Sequence, residues 1–320
     1  MEQSLWGRGP VIGFVIKRLL YNIPVLLGVA LITMLLFNVA SGDPVSIKLG
    51  KAAKESQRKA LAKQMGLDKP LVAQYGDFLV QTVTLDFGES WNDNTPVRKI
   101  FLRGVGPTLS LSIPAFFTGA ILSIALALLV AYHRGGWLDR FMTMAAIAGI
   151  SISSLVYILV LQWLLADQLK LFPIWGYEYG WGALRFIALP LLIWVLLSVG
   201  QDLRYFRTVA LEEIGRDYVR TARSKGLSEN RILFKHVLRN CSIPIITRLV
   251  ITVPFLITGS FLLEIFFGIP GLGSTLYTAI QNSDFPVIKA FTMLGTVMFV
   301  LFNILSDVLY AYFDPRIRLS

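Results

Sequence analysis

The sequence predicts an all-α polytopic membrane protein with six transmembrane helices, and three observations carry that expectation. The 320 residues are 55% hydrophobic and only 16% charged, and the mean hydropathy is +0.63, a balance that marks a chain built to sit in lipid. The apolar residues collect into runs long enough to cross a bilayer. The formal charge of +10 is spread over the connections between those runs rather than over one soluble face, which argues against nucleic-acid binding.

Residues 1–10 form a short polar start, and the first span is expected over 11–40. Arg8, Lys17 and Arg18 precede its apolar core, which orients this end toward the cytoplasm. A cleaved signal peptide is the competing reading, but Leu19 to Ala40 is longer than a signal core and contains Pro24. Residues 41–106 are polar and read as an external insertion, with an exposed helix over 51–63 and turns at Pro44, Pro70 and Pro96. The ten Lys and Arg of this segment do not prevent export, because segments of this length translocate largely regardless of charge.

From residue 107 onward the chain reads as a core with five further spans. They are expected near 108–131, 141–166, 186–199, 242–267 and 287–312, with a kink at Pro190. HRGGWLDR, His133 to Arg140, makes a short basic return between the second and third. The two inner loops carry eleven Lys and Arg, whereas the outer loops after the third and fifth spans carry only Lys170, Arg185 and Lys289. That asymmetry supports both termini inside.

Residues 204–240 separate the fourth and fifth spans. The nine Lys and Arg in this loop would together cost more than about 20 kcal/mol at the bilayer centre, so the loop lies outside the hydrocarbon. Leu211, Ile214, Tyr218 and Ala222 fall at steps of three and four, one apolar stripe opposite Glu213, Arg216, Arg220 and Arg223. Gly226 suits the left-handed turn that ends such a helix. Ser228 can cap a second helix with Glu229 in its first turn and Ile232, Leu233, Val237 and Leu238 as its apolar side.

The run DYVRTARSKGLSENRILFKHVLRN within this loop resembles the EAA loop of ABC importer permeases, in the form carried by the oligopeptide and dipeptide (peptide/nickel) transport family. Arg220, Thr221, Ala222 and Gly226 occupy the first part of the motif, and His236, Val237, Leu238 and Arg239 its end. The departures from the general motif at Arg220, His236 and Arg239 resemble the peptide-permease version. EIFFGIPGLGS, Glu264 to Ser274, is similar to the family's external signature, with Glu264, Phe267, Pro270, Gly271, Leu272 and Gly273 in register. Gly42 to Pro44, the run Gly66 to Tyr75, Asp86 to Gly88 with Ser90, LFPIWGY at 171–177, Asp284 to Pro286 and DPRIR at 314–318 resemble further family segments, in the family's order.

The resemblance implies the type I ABC importer permease fold, with the insertion between the first two spans, in a bacterial inner (cytoplasmic) membrane. It implies that Asp217, Tyr218, Arg220, Thr221, Ala222, Lys225, Gly226, Leu227 and Ser228 form a coupling loop that docks on an ATPase. The implied partners are a homologous second permease, two ABC ATPase subunits that carry ATP and Mg, an extracytoplasmic solute-binding protein and membrane lipid. No cofactor is expected on this chain itself.

Chemistry of other kinds finds little support in the residues. No carboxylate pair, nucleophile with base, or Walker A motif stands out, so no catalytic residue is expected. The glycines around 268–273 lack a following Gly-Lys-Ser/Thr, and the DFG at 86–88 lacks the other kinase motifs. One cysteine, Cys241, and two histidines, His133 and His236, leave no metal site in view. Arg248 is the deepest charge of the fifth span and a candidate for lining the translocation path. Tyr157 and Gln162 belong to a polar face of the third span that serves either that path or helix packing. An ion-gradient-driven secondary transporter is the alternative reading; it would favour inverted repeats and broken helices.

Overall fold

A computed structural model describes residues 8–40, 45, 49, 54–64, 68–258 and 261–313. Among these residues the protein is helical, with a single isolated antiparallel bridge, Glu89 to Pro96. Four helices are long and apolar enough to cross a membrane, and two bent helix pairs raise the number to six if each pair is one span. Gly42 to Pro44 and the DPRIR run lie outside the described residues. The chain divides into two compact units, Met1–Pro107 with Pro270–Ile304, and Thr108–Ile269 with Leu305–Arg318.

In the first unit, helix α1 (Arg8–Ala40) lies against α3 (Leu71–Thr84), where Tyr75 Oη donates to the Leu27 carbonyl at 3.0 Å. Between them, α2 (Glu55–Gln64) is the exposed helix expected over 51–63, with its first three predicted residues outside the described set. Leu85 adopts φ 57° to end α3, and the loop that follows folds on itself through Ser90 N–H to Thr95 O at 2.9 Å and Val97 N–H to Gly88 O at 3.0 Å. Its tip is fixed by the buried Asp284, which accepts the Ser90 hydroxyl and, at 3.0 Å, the Trp91 N–H. Phe285 stands edge-on to both Phe37 and Trp91 at 5.2 Å.

Helix α4 (Val97–Tyr132) begins about ten residues before the expected second span. Charge marks where hydrocarbon ends, not where helical hydrogen bonding ends, so Arg98, Lys99 and Arg103 ride on the same helix. The expected fourth span is lengthened in the same way: α7 (Ala183–Ile214) runs through Asp202, Arg204 and Arg207 to the charged loop.

The third span is not one straight helix. Helix α5 (Trp137–Ser151) and α6 (Ser154–Leu161), which continues as a π-helical turn over Gln162–Gln168, meet at 98°. No proline makes this bend. Ile152 and Ser153 are extended, and Ser153 Oγ caps the new helix by accepting the Leu155 N–H at 3.4 Å. The hydroxyl supplies what a proline would otherwise impose.

The expected fifth span is likewise divided. Beyond the loop, α8 (Asp217–Ser224), the single turn α9 (Glu229–Arg231) and a π-helical turn Ile232–Val237 lead into α10 (Leu238–Thr252). That helix ends in a turn at Val253 and Pro254, where proline has no N–H for the ladder. Short helices α11 (Phe255–Thr258) and α12 (Phe261–Phe267) follow. The first unit then resumes with α13 (Leu272–Gln281) and α14 (Phe285–Phe313), the latter extending across the boundary between the units.

Small residues let the helices of the second unit approach closely, as lipid-buried packing requires. A Cβ added at Gly119 would stand 2.9 Å from Ser198 Oγ, and one at Gly200 would stand 3.3 Å from the Ala146 carbonyl.

Candidate coupling elbow and translocation site

The charged loop folds as an elbow whose inner face is part of the core. The single stripe expected over 211–222 is interrupted, because α7 stops at Ile214 and Arg216 is extended before α8 begins. Gly215 N–H still reaches the Leu211 carbonyl at 3.2 Å, so Leu211 and Ile214 belong to the spanning helix and Val219 and Ala222 form the buried side of the elbow. Val219 is fully buried and Ala222 nearly so. They pack with Ala131, Ala146, Phe206, Ile232, Val237 and Cys241, which come from α4, α5, α7, the π-helical turn Ile232–Val237 and α10. Val219 carries more of this packing than sequence reasoning assigned it, since its spacing to Ala222 is legible only once α8 is known to start at Asp217.

The turn itself is a Schellman motif. Leu227 N–H reaches the Ala222 carbonyl at 3.3 Å and Gly226 N–H the Arg223 carbonyl at 2.9 Å, with Gly226 at φ +75°. Leu227 packs back on the same core as Ala222, the apolar contact that accompanies this motif. Ser228 takes the extended backbone of an N-cap, but its hydroxyl makes no capping bond; its carbonyl accepts the Ile232 N–H at 3.0 Å.

The two arms are pinned by charge. Arg223 grips Glu229 through two bonds of 2.8 and 3.1 Å. Those donated hydrogen bonds hold the Glu229 carboxyl below its usual range. Tyr218 Oη donates to Glu213 Oε2 at 2.8 Å, and burial pushes the phenol up to about 12, with Glu213 adding to the shift. Thr221 Oγ1 bonds the Asp217 carbonyl at 3.0 Å. Asp217, Arg220, Lys225 and Gly226 face outward, unlike Ala222. The structure thus divides the residues of this loop into an exposed outer face and a buried inner one.

A second ion pair, with its carboxylate buried, fixes the helix that enters the elbow. Asp139 accepts Arg207 Nε at 2.6 Å and a second guanidinium N–H at 2.8 Å, and also takes the Gly135 N–H at 2.9 Å. The Asp139 side chain is 7% exposed. The short return between α4 and α5 is therefore bolted to α7 two turns before the elbow. Both residues were visible in sequence only as loop charges.

Arg248 is not alone. Its Nε stands 3.2 Å from Asp202 Oδ1, linking α10 to α7, and its guanidinium lies 5.9 Å from the Tyr205 ring centre. Asp202 is the partner that sequence reasoning missed; the available signal was a carboxylate at the tail of a long apolar run. It also lines a cavity of about 230 Å³ with Trp194, Ser198, Thr252 and apolar side chains. Tyr157 and Gln162 spend their polar ends on packing bonds. Tyr157 Oη donates to the Gly149 carbonyl at 3.1 Å, and Gln162 Nε2 to the Ile174 and Phe266 carbonyls at 2.8 and 3.2 Å.

Glu264 is fully buried and accepts Thr108 Oγ1 at 2.7 Å. Glu264→Ala takes that acceptor away and opens a void, an expected loss of about 2–4 kcal/mol. Glu264→Gln keeps an acceptor and should lose clearly less; equal unfolding midpoints for the two variants in detergent would refute this role. Next to it, Gly268 sits at φ +66° under the Trp175 indole, where a Cβ would come within 2.2 Å of the ring. Gly268→Ala should therefore cost about 2–4 kcal/mol from overlap and backbone strain together. Adding Trp175→Ala should recover only the overlap part, measured by the same midpoints. In the first unit, Gly271 caps α13 in extended conformation and its carbonyl accepts Thr275 Oγ1 at 2.6 Å and Ser274 Oγ at 3.1 Å. A Cβ on Gly104 would meet Gly271 at 3.2 Å. Pro270 directly precedes this cap, and Gly273 is buried in its first turn.

Residues 121–319 match the family described as binding-protein-dependent transport system inner membrane component. Residues 11–112 match the N-terminal family of the same transport-system membrane components. The chain is 32% identical over 312 residues to the oligopeptide transport system permease protein AppB of Bacillus subtilis, covering 95% of this chain and 99% of that one. It is 33% identical over 308 residues to the glutathione transport system permease protein GsiC of Salmonella typhimurium, covering 96% and 99%. Among solved structures, an inward-facing form of the MetNI methionine ABC transporter aligns with a TM-score of 0.54, covering 68% of this chain and 97% of that one. At 16% identity that likeness speaks for the fold alone.

Proposed function

We propose that this chain, which belongs to the family of binding-protein-dependent transport system inner membrane components, imports peptides or similar small solutes as one permease subunit of an ATP-driven ABC importer. The observation that carries the reading is the elbow: an outward face of Asp217, Arg220, Lys225 and Gly226 on an inward face welded to α4, α5 and α7. The relatives named for oligopeptide and glutathione transport support the substrate class.

In this reading a homologous permease completes the path, and two ABC ATPases carry ATP and Mg. A solute-binding protein delivers the substrate from outside. Both termini and the elbow lie in the cytoplasm of a bacterial cell, and 41–106 lies outside the inner membrane. ATPase closure pushes the outer face of the elbow, and the packed inner face passes the displacement to the spans. Moving a two-state gate from 1:99 to 99:1 requires about 5.5 kcal/mol of differential interaction, which calls for the anchored geometry of Val219, Ala222 and Leu227 rather than a pendant loop. The Asp202–Arg248 pair joins the helices entering and leaving the elbow, so it moves with them.

The test is uptake of a labelled peptide by proteoliposomes holding the whole complex and the binding protein. Uptake should require ATP on the ATPase side and ignore an uncoupler. Uptake that survives ATP removal but collapses with an uncoupler would instead select a secondary transporter.

A further inference from the structure

Beside the elbow lies a polar cavity of about 450 Å³, a volume within the range of ligand-binding clefts. Glu213 at the end of α7, Arg216 and Tyr218 at the entry to the elbow, and Arg239 and Asn240 at the start of α10 line its polar side. Ile243 and Pro244 continue the wall in the apolar direction of α10. The cavity thus lies beyond the apolar run of α7 and against the start of that of α10, which in the proposed placement is the headgroup side of the cytoplasmic face.

Its charge is unbalanced. Glu213 is committed to Tyr218 Oη at 2.8 Å and faces Arg216 Nε at 3.6 Å. The Arg239 guanidinium meets no side-chain acceptor among the described residues, while its backbone carbonyl accepts Ser242 Oγ at 2.6 Å. Two guanidinium groups therefore stand against one carboxylate that is already hydrogen-bonded. Guanidinium is the group best shaped to take phosphate oxygens in pairs, and basic pockets between spanning helices on the cytoplasmic side hold anionic headgroups.

We infer that this cavity is a binding site for a phosphate group, presented by an anionic phospholipid whose chains run along Ile243 and Pro244, with Arg239 and Arg216 as its ligands. Occupancy ties the start of α10 to the entry of the elbow from the lipid side. The inference needs only the membrane placement of α7 and α10, so it stands or falls separately from the nature of the transported solute.

The experiment uses the purified whole complex in a neutral detergent, with its thermal midpoint followed against short-chain phosphatidylglycerol, short-chain phosphatidylcholine and inorganic phosphate. Phosphatidylglycerol should raise the midpoint saturably, with phosphatidylcholine and millimolar phosphate inert. Arg239→Gln should weaken the apparent affinity about tenfold or more, while Arg134→Gln, a basic residue of the other inner loop, should leave it unchanged. An equal response to inorganic phosphate would keep the phosphate site but overturn the lipid as its source. No saturable response, or an equal loss in the Arg134 and Arg239 variants, would overturn the site. Should Arg239→Gln fold poorly, Arg216→Gln read by native mass spectrometry of retained lipid decides the same question.

Discussion

Gly226→Trp should leave the spans inserted and the complex assembled yet reduce substrate uptake by about a hundredfold, the size of a lost coupling free energy of about 3 kcal/mol. The structure separates the two effects such a change could have. A Cβ at this position meets nothing within 4 Å, so bulk added here projects away from the chain's own core. The backbone at φ +75° costs an L-residue roughly 1–2 kcal/mol, and Gly226→Ala carries that strain without the bulk. Alanine should therefore lower stability while keeping most uptake, and tryptophan should lose uptake at a similar stability. Equal uptake by the two variants would remove the docking role from this turn.

Asp139→Ala should be among the most destabilising single changes in the second unit. It leaves the Arg207 guanidinium beside an empty site and the Gly135 N–H without its acceptor, and breaking a buried pair costs about 3–5 kcal/mol. Arg207 is 25% exposed, so water recovers part of the loss and the lower end applies. Arg207→Ala should cost a similar amount. Replacing both partners by apolar residues of similar volume should restore most of it, because no buried charge is then stranded. Thermal midpoints of the four-member cycle in detergent measure this, and strictly additive losses would deny that the two side chains act together.

Much of this architecture was legible because its cause is local. A run of apolar residues declares its own burial, and nine basic residues declare their exclusion from hydrocarbon. Gly226 declares a left-handed turn because few other residues tolerate one. What escaped was of two kinds. Helix ends were misplaced at Val97 and Ile214, since hydropathy reports the edge of the bilayer while backbone hydrogen bonds continue through charged residues. The bend at Ile152 and Ser153 escaped because a serine cap, not a proline, makes it.

The second kind concerns partners distant in sequence. Asp202 and Arg248 are 46 positions apart, Asp139 and Arg207 are 68 apart, and Ser90 and Asp284 are 194 apart. Nothing in the spacing of either member announces the other. Arg248 reads in the sequence as the deepest charge of the fifth span, and its cost is shared with a carboxylate on the neighbouring helix. Motif resemblance did mark the segments holding Ser90 and Asp284, but not the bond between them.

The orientation of the elbow is the premise of the coupling account, and one labelling experiment addresses it. Native Cys241 is buried, so a Lys225→Cys variant carrying Cys241→Ser presents a single exposed thiol. A membrane-impermeant maleimide should label it in inside-out vesicles and leave it untouched in intact spheroplasts. Labelling of the spheroplasts from outside would put the elbow on the wrong face of the membrane and contradict the account.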